Sequence, residues 1–141
     1  MKISAFLLLF SLVSGVPEIS WQKDAALEID IDCDGETEEL NVGFIENDFV
    51  LKMSPSSVNS SSQLQFGLGQ ASRQDAICDV EVEFLVTDSI PKQIHINMFG
   101  ETVEGYNYDS SCKDLVVLGG DCDSITIFYN HKTEVLNWWR L

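Results

Sequence analysis

A mainly β fold, a single small antiparallel sandwich or partly open barrel with two disulfides, is the architecture this sequence predicts. Three observations predict it. Apolar residues recur with a period of two, four cysteines follow an apolar leader, and hardly any segment keeps a helical period.

Taken in chain order, "MKISAFLLLFSLVSGVPEIS" carries one positive charge at Lys2, an apolar run from Ile3 to Val13, then Ser14, Gly15 and Pro17. That is the pattern of a secretory signal peptide, with cleavage expected near Gly15 or Val16. The run is too short to span a bilayer as a helix, and no cysteine closes it to carry a lipid. Residues 1–15 are therefore expected to be a signal peptide and 16–141 one β-rich domain, secreted or periplasmic, with no membrane insertion after cleavage. "PEISWQKDAA", residues 17–26, is the one stretch expected to form a short N-terminal helix.

Strands follow. Leu27, Ile29 and Ile31 alternate with Glu28, Asp30 and Asp32; Val42 and Phe44 share a face; Phe49, Leu51 and Met53 follow a hairpin turn expected at Asn47-Asp48. In "DVEVEFLV", Val80, Val82, Phe84 and Val86 are expected to face the core while Asp79, Glu81 and Glu83 face water. "QIHINMF" repeats the alternation with Ile94, Ile96 and Met98, which places His95 on the polar face of a strand. "ITIFYN" and "EVLNWWR" flank Asn130 to Thr133 as a C-terminal hairpin. "SPSSVNSSS", residues 54–62, reads as a flexible loop, and its Asn59-Ser60-Ser61 is a glycosylation acceptor in a eukaryotic setting. There is no internal repeat.

Cys33, Cys78, Cys112 and Cys122 form an even set in an exported chain, so two disulfides are expected. Of the three possible pairings, Cys112–Cys122 as a local staple with Cys33–Cys78 as the long link is the one favoured. Zinc is disfavoured, because no C-x-x-C pair occurs and the only histidines are His95 and His131. The formal charge is −15; loss of Lys2, the only charged residue in 1–15, makes it −16. Such a surface disfavours nucleic acid and anionic membranes, which need clustered Lys and Arg. It suits calcium or a basic protein partner.

"EIDIDCDGETEEL", residues 28–40, carries the clearest chemistry. Calcium takes six to eight oxygens, and one short loop can supply them from alternating carboxylates, a turn glycine and a later acid. Counting Asp30 as position 1, Asp32 and Asp34 fall at 3 and 5, Gly35 at 6, Glu36 at 7 and Glu38 at 9. Position 12 is Asn41 rather than the glutamate of an EF-hand, and the flanks alternate like strands. The loop resembles the D-x-D-x-D-G calcium loop of FG-GAP and VCBS-type repeat proteins, matched at Asp30, Asp32, Asp34, Gly35 and Glu38. The resemblance covers this loop alone and implies calcium on Asp30, Asp32, Asp34 and Glu38 with the Glu36 carbonyl. The other reading is a solvated, charged turn.

The chain as a whole, with "DIDCDG", "DAIC" and "GGDCDSI…YNHKTEVLNWWRL", resembles a group of small exported bacterial proteins, a likeness that implies no reaction. Trp138 and Trp139 are adjacent on a strand and so point to opposite faces. One is expected in the core; the other, with Tyr106 or Tyr108, is a candidate surface for a glycan or a protein partner. No nucleophile motif occurs, so catalytic residues are not expected. The sequence therefore points to a calcium-binding, disulfide-stabilised interaction module. Two alternatives stand beside it: an acidic inhibitor or immunity-type protein of a cationic wall-active enzyme, and a small hydrolase. The hydrolase requires a concave pocket holding a carboxylate of raised pKa.

Overall fold

The computed structural model describes residues 17–24, 26–54, 62–69 and 74–140. The expected signal peptide and the Asn59 acceptor lie outside these residues. Among the described residues ten strands form two sheets, accompanied by one helix. The first sheet contains β1 (Ser20–Trp21), β2 (Leu27–Ile29), β3 (Glu38–Ile45), β4 (Asp48–Ser54), β5 (Ser62–Leu68) and β6 (Ala76–Ile77). Its order is β1-β3-β4-β5-β6, with β2 also on β3. The second contains β7 (Val82–Asp88), β8 (Lys113–Gly119), β9 (Ile125–Asn130) and β10 (Val135–Arg140), in the order β10-β9-β8-β7. All pairs are antiparallel except β5 with β6. The mainly β expectation is met, as two sheets and not a closed barrel.

The period of two does the work of placing the core. Leu40, Val42, Phe49, Leu51, Met53 and Phe66 of the first sheet meet Leu115, Val117, Ile125, Ile127 and Leu136 of the second in one buried cluster. Fully burying a side chain of this size contributes roughly 1.5–3 kcal/mol. The cluster therefore holds the sheets face to face. The β3–β4 hairpin turns on Glu46 and Asn47, with Ile45 paired to Asp48, one residue earlier than expected. Glu46 takes the left-handed φ of 51°. The C-terminal hairpin forms as expected, with Val135 opposite Asn130.

Four expectations are corrected. Residues 17–26 contain no helix among their described positions: Ser20 and Trp21 pair with Phe44 and Gly43, and the Gln22 N–H donates to the Val42 carbonyl at 2.8 Å. Gly43 permits this, since a Cβ there would meet Ile19 and Trp21 side-chain carbons at 2.8 Å. The helix lies instead at "KQIHINMF", α1 (Lys92–Phe99), where a strand was expected. Pro91 sets φ at −59° before it, and Gly100 closes it at φ 79° with its N–H on the Ile96 carbonyl. The helical turn brings His95 and Phe99 inward on one face, with ring centroids 4.4 Å apart, and leaves Ile94 and Met98 exposed. His95 is thus buried, not on a polar face. In "DVEVEFLV", Val82 and Phe84 pack on the core, but Val80 precedes the strand and Val86 lies on the sheet edge, both exposed.

The fourth correction concerns the disulfides, which join Cys33 to Cys112 and Cys78 to Cys122. The favoured local pair is geometrically excluded. Cys112 and Cys122 flank the seven residues of β8, an extended span of over 20 Å at roughly 3.3 Å per residue. A disulfide needs Cα atoms within about 7 Å. Sheet stacking, not proximity along the chain, brings each pair together. One bridge ties the β2–β3 loop to the start of β8, and the other ties the end of β6 to the β8–β9 turn. The paired cysteines are 79 and 44 residues apart, so each bridge is expected to contribute about 4 kcal/mol through restriction of the unfolded chain. Serine replacement of either pair should lower the unfolding free energy in urea by that order, and a non-reducing peptide map should recover Cys33 with Cys112.

Candidate functional site

The acidic loop begins where β2 ends. Ile29 pairs with Glu38, so Asp30 and Glu38 sit at the mouth of one ladder. Glu38 has the same strand parity as Leu40 and Val42, which points its carboxylate inward at the sheet end; it is 1% exposed. Its Oε2 accepts the Ile31 N–H at 3.0 Å. Between them the chain folds on its own side chains. Asp32 Oδ1 accepts the Asp34 N–H at 3.1 Å, and Asp34 Oδ1 accepts the Glu36 N–H at 2.8 Å. Cys33 at φ 67° and Gly35 at φ 93° supply the left-handed turns.

The outcome is convergence. Asp30, Asp32 and Glu38 each offer a carboxylate oxygen, all within 4.8 Å of one another. The Asp30 Oδ1 is shut off from solvent and has no hydrogen-bond partner. Asp34 and Glu36, the other two residues expected at the site, lie on the exposed rim of the loop. The Asp32 carboxyl is raised above the ordinary range, first by desolvation, with the charges of Asp34 and Asp30 adding to the effect. The Asp34 N–H and His131 act in the opposite direction. The β9–β10 hairpin closes the other side. Tyr129 is raised by desolvation and then by the charges of Asp32, Glu134 and Glu38, and its ring meets His131 at 5.1 Å. Neither neighbour was expected near the loop, because nothing local in the sequence joins residues 30–38 to 129–131.

The aromatic candidates are buried or part-buried rather than freely exposed. Trp138 packs edge-on to Phe66, at 5.6 Å, on the core side. Trp139, on the opposite face, sits beneath α1 with Phe128 at 4.7 Å, Tyr106 at 4.7 Å and His95 at 4.9 Å. Tyr106 is buried and Tyr108 half-buried. Both faces of the second sheet are therefore covered at this end. His95 Nδ1 lies 3.0 Å from the Tyr108 hydroxyl and 3.2 Å from the Glu101 carbonyl, while its buried Nε2 has no partner.

Beside this cluster opens a cavity of about 480 Å³ lined by Thr87, Ile90, Met98, Asp114, Val116 and Trp139 among others. Asp114 is 3% exposed, and its Oδ2 accepts the Tyr106 hydroxyl at 2.5 Å. The same hydroxyl accepts the Ile90 N–H at 2.7 Å. Desolvation pushes the Asp114 carboxyl up to about 7, against the lowering effect of the Tyr106 hydrogen bond. No local signal marks this acid among the 23 of the chain, although its parity with the outer face of β8 was readable. The hydrolase reading gains its pocket here. Among the described residues its polar neighbours are engaged elsewhere: the Asp88 carboxylate at the rim is exposed and ion-paired to Lys113, and the Ser89 hydroxyl is bonded to the Ser110 carbonyl and hydroxyl.

No family model, curated protein or solved structure matches this chain. What the site can do is therefore argued from its geometry.

The raised Asp114 makes stability depend on pH. Its carboxyl titrates near 3.8 in the unfolded chain and at about 7 in the fold, so the native state holds more protons between those values. Stability should fall as pH rises from about 4 to about 7 and level off above; Asp32 acts in the same sense at the acidic end of the window. Asp114→Asn, which keeps an acceptor for Tyr106, should flatten the slope in thermal melts across this range. A slope that persists unchanged would assign it to other groups.

Proposed function

We propose that this chain is an exported, disulfide-stabilised β domain that binds one calcium ion at the β2–β3 loop and acts as an interaction module rather than a catalyst. The observation that carries this reading is the convergence of Asp30, Asp32 and Glu38 around a solvent-shielded Asp30 oxygen that no donor satisfies. Two unit charges about 4 Å apart repel by roughly 4 kcal/mol at an effective dielectric near 20. Three carboxylates at such spacing therefore need protons or a cation. All the donors are hard oxygens on an irregular loop, a set that suits calcium better than magnesium, which demands a stricter octahedron. The Cys33–Cys112 bridge fixes the loop to the second sheet and limits the entropy lost when an ion orders it.

Two disulfides fit an oxidising compartment. Among the described residues no helix is long and apolar enough to cross a membrane. The net charge of −15 supports a basic partner for the domain.

A thermal melt of the oxidised protein in EDTA, in calcium and in magnesium tests the reading. At a hundredfold excess over the dissociation constant, calcium should add about 2.7 kcal/mol, a rise of several degrees that magnesium fails to match. Asp32→Asn should abolish the rise. Asp34→Asn, on the rim, should weaken it less. Glu38→Gln should remove the calcium effect yet keep an acceptor for Ile31, whereas Glu38→Ala should also cost about 1–3 kcal/mol without any metal. Identical melts in EDTA and calcium would leave the loop a charged turn.

A further inference from the structure

The cavity beside α1 carries a second binding chemistry, independent of the acidic loop. Its walls are mainly the Ile90, Pro91, Met98, Val116 and Trp139 side chains, and of its two buried polar groups, Asp114 and Ser89, only Asp114 carries a charge. The Tyr106 hydroxyl, itself held by the Ile90 N–H, donates to Asp114 Oδ2. This chain of donors holds one carboxyl oxygen in place, and once Asp114 is ionised the other is an acceptor open to the cavity. Tyr106 is the only hydrogen-bond partner of the Asp114 side chain among the described residues, so the other oxygen is left for whatever enters. A cavity of about 480 Å³ lies in the range of small-molecule sites.

We propose that this cavity binds a small organic amine, with its ammonium on Asp114 and its apolar body against Met98, Val116 and Trp139. An ammonium is the donor that completes a buried acceptor while neutralising its charge. The Trp139 indole on the same wall adds a surface attractive to cations. Other ligand classes fit less well. An anion meets a carboxyl in a chain of net charge −15. A sugar would need a ring of free polar groups, yet Ser89 is engaged with Ser110 and Lys113 with Asp88. A metal ion would find one buried carboxyl, with Asp88 at the rim already paired to Lys113, where six or more oxygens are required.

The ionisable groups packed around Asp114 are Tyr106, which donates to it, and Asp88 with Lys113, ion-paired at the rim. His95 and Tyr108 lie behind Tyr106, with ring centroids 6.4 and 4.6 Å from it. A bound ammonium requires the ionised carboxylate, whereas Asp114 holds its proton up to about pH 7. Amine binding must therefore release that proton, and affinity should rise about tenfold per pH unit below about 7 and become constant above.

Isothermal titration of phenethylamine, 2-phenylethanol and 3-phenylpropanoate into the full protein tests this, with calcium present throughout so that the acidic loop stays in one state. The amine should bind at least about tenfold more tightly than either isostere at pH 8, a preference worth about 1.4 kcal/mol, and should show the stated pH profile. Asp114→Asn should erase the preference, and Val116→Trp, which fills the cavity, should remove binding of all three. Equal affinity for the alcohol, or an amine affinity flat from about pH 5 to 8, would overturn the proposal; the pH profile needs no variant to fold. A lysine side chain on a protein carries the same ammonium, so Nα-acetyl-lysine amide is the remaining arm. Tighter binding of that probe than of phenethylamine would overturn the small-molecule occupant.

Discussion

The burial of one apolar face of each sheet against the other is the constraint on which the remainder depends. Phe49, Phe66, Leu40 and Leu51 from the first sheet and Leu115, Ile125 and Ile127 from the second are almost wholly removed from water. Because strand side chains alternate, that burial settles which residues of every strand face outward. It carries Asp114 and Thr126 to the far face of the second sheet, where α1 lies. It also fixes the end of β3, and with it Glu38, at the rim of the core. The two disulfides then join strand ends that the core has already brought together.

What the sequence disclosed follows from the range of each signal. Alternation is local, so Leu27–Ile29, Glu38–Ile45, Asp48–Ser54 and the C-terminal hairpin could be read from their own residues. The same alternation misled at residues 93–99, because Ile94, Ile96 and Met98 fit a period of two as well as a turn of helix. Pro91 and Gly100, placed at the two ends, were the signals that favour helix. The buried aromatic group of His95, Phe99, Tyr106, Phe128 and Trp139 comes from four separate segments and had no local signature. Disulfide pairing was misread for a related reason: proximity along the chain was weighed, whereas the length of an extended strand between Cys112 and Cys122 rules that pair out.

The acidic loop was legible as a composition and only partly as a site. Alternating aspartates with a glycine describe what a loop could ligate, but not which oxygens meet. Convergence of Asp30, Asp32 and Glu38 depends on the parity of Glu38, which an acid at the start of a strand conceals unless it is counted with Leu40 and Val42. Asp34 instead braces the turn by accepting the Glu36 N–H. A residue that matches a ligand position can thus serve the backbone that presents the neighbouring carboxylates. The approach of Tyr129 and His131 adds a half-dry wall to the group, and such a wall strengthens every charge interaction beside it.

Two acidic groups on one domain need not select the same cation, and here their surroundings separate them. Around Asp30, Asp32 and Glu38 the charges are crowded and further oxygens stand near on the rim, a setting that would suit a small, hard ion of high charge. Around Asp114 there is a single buried carboxyl among mostly carbon walls, so a hard ion would lose more hydration than the few oxygens there could replace. A partner there must carry its charge on a body that gains from burial against Met98, Val116 and Trp139. Net charge says only that cations are welcome; the number of oxygens and the polarity of the walls decide which kind.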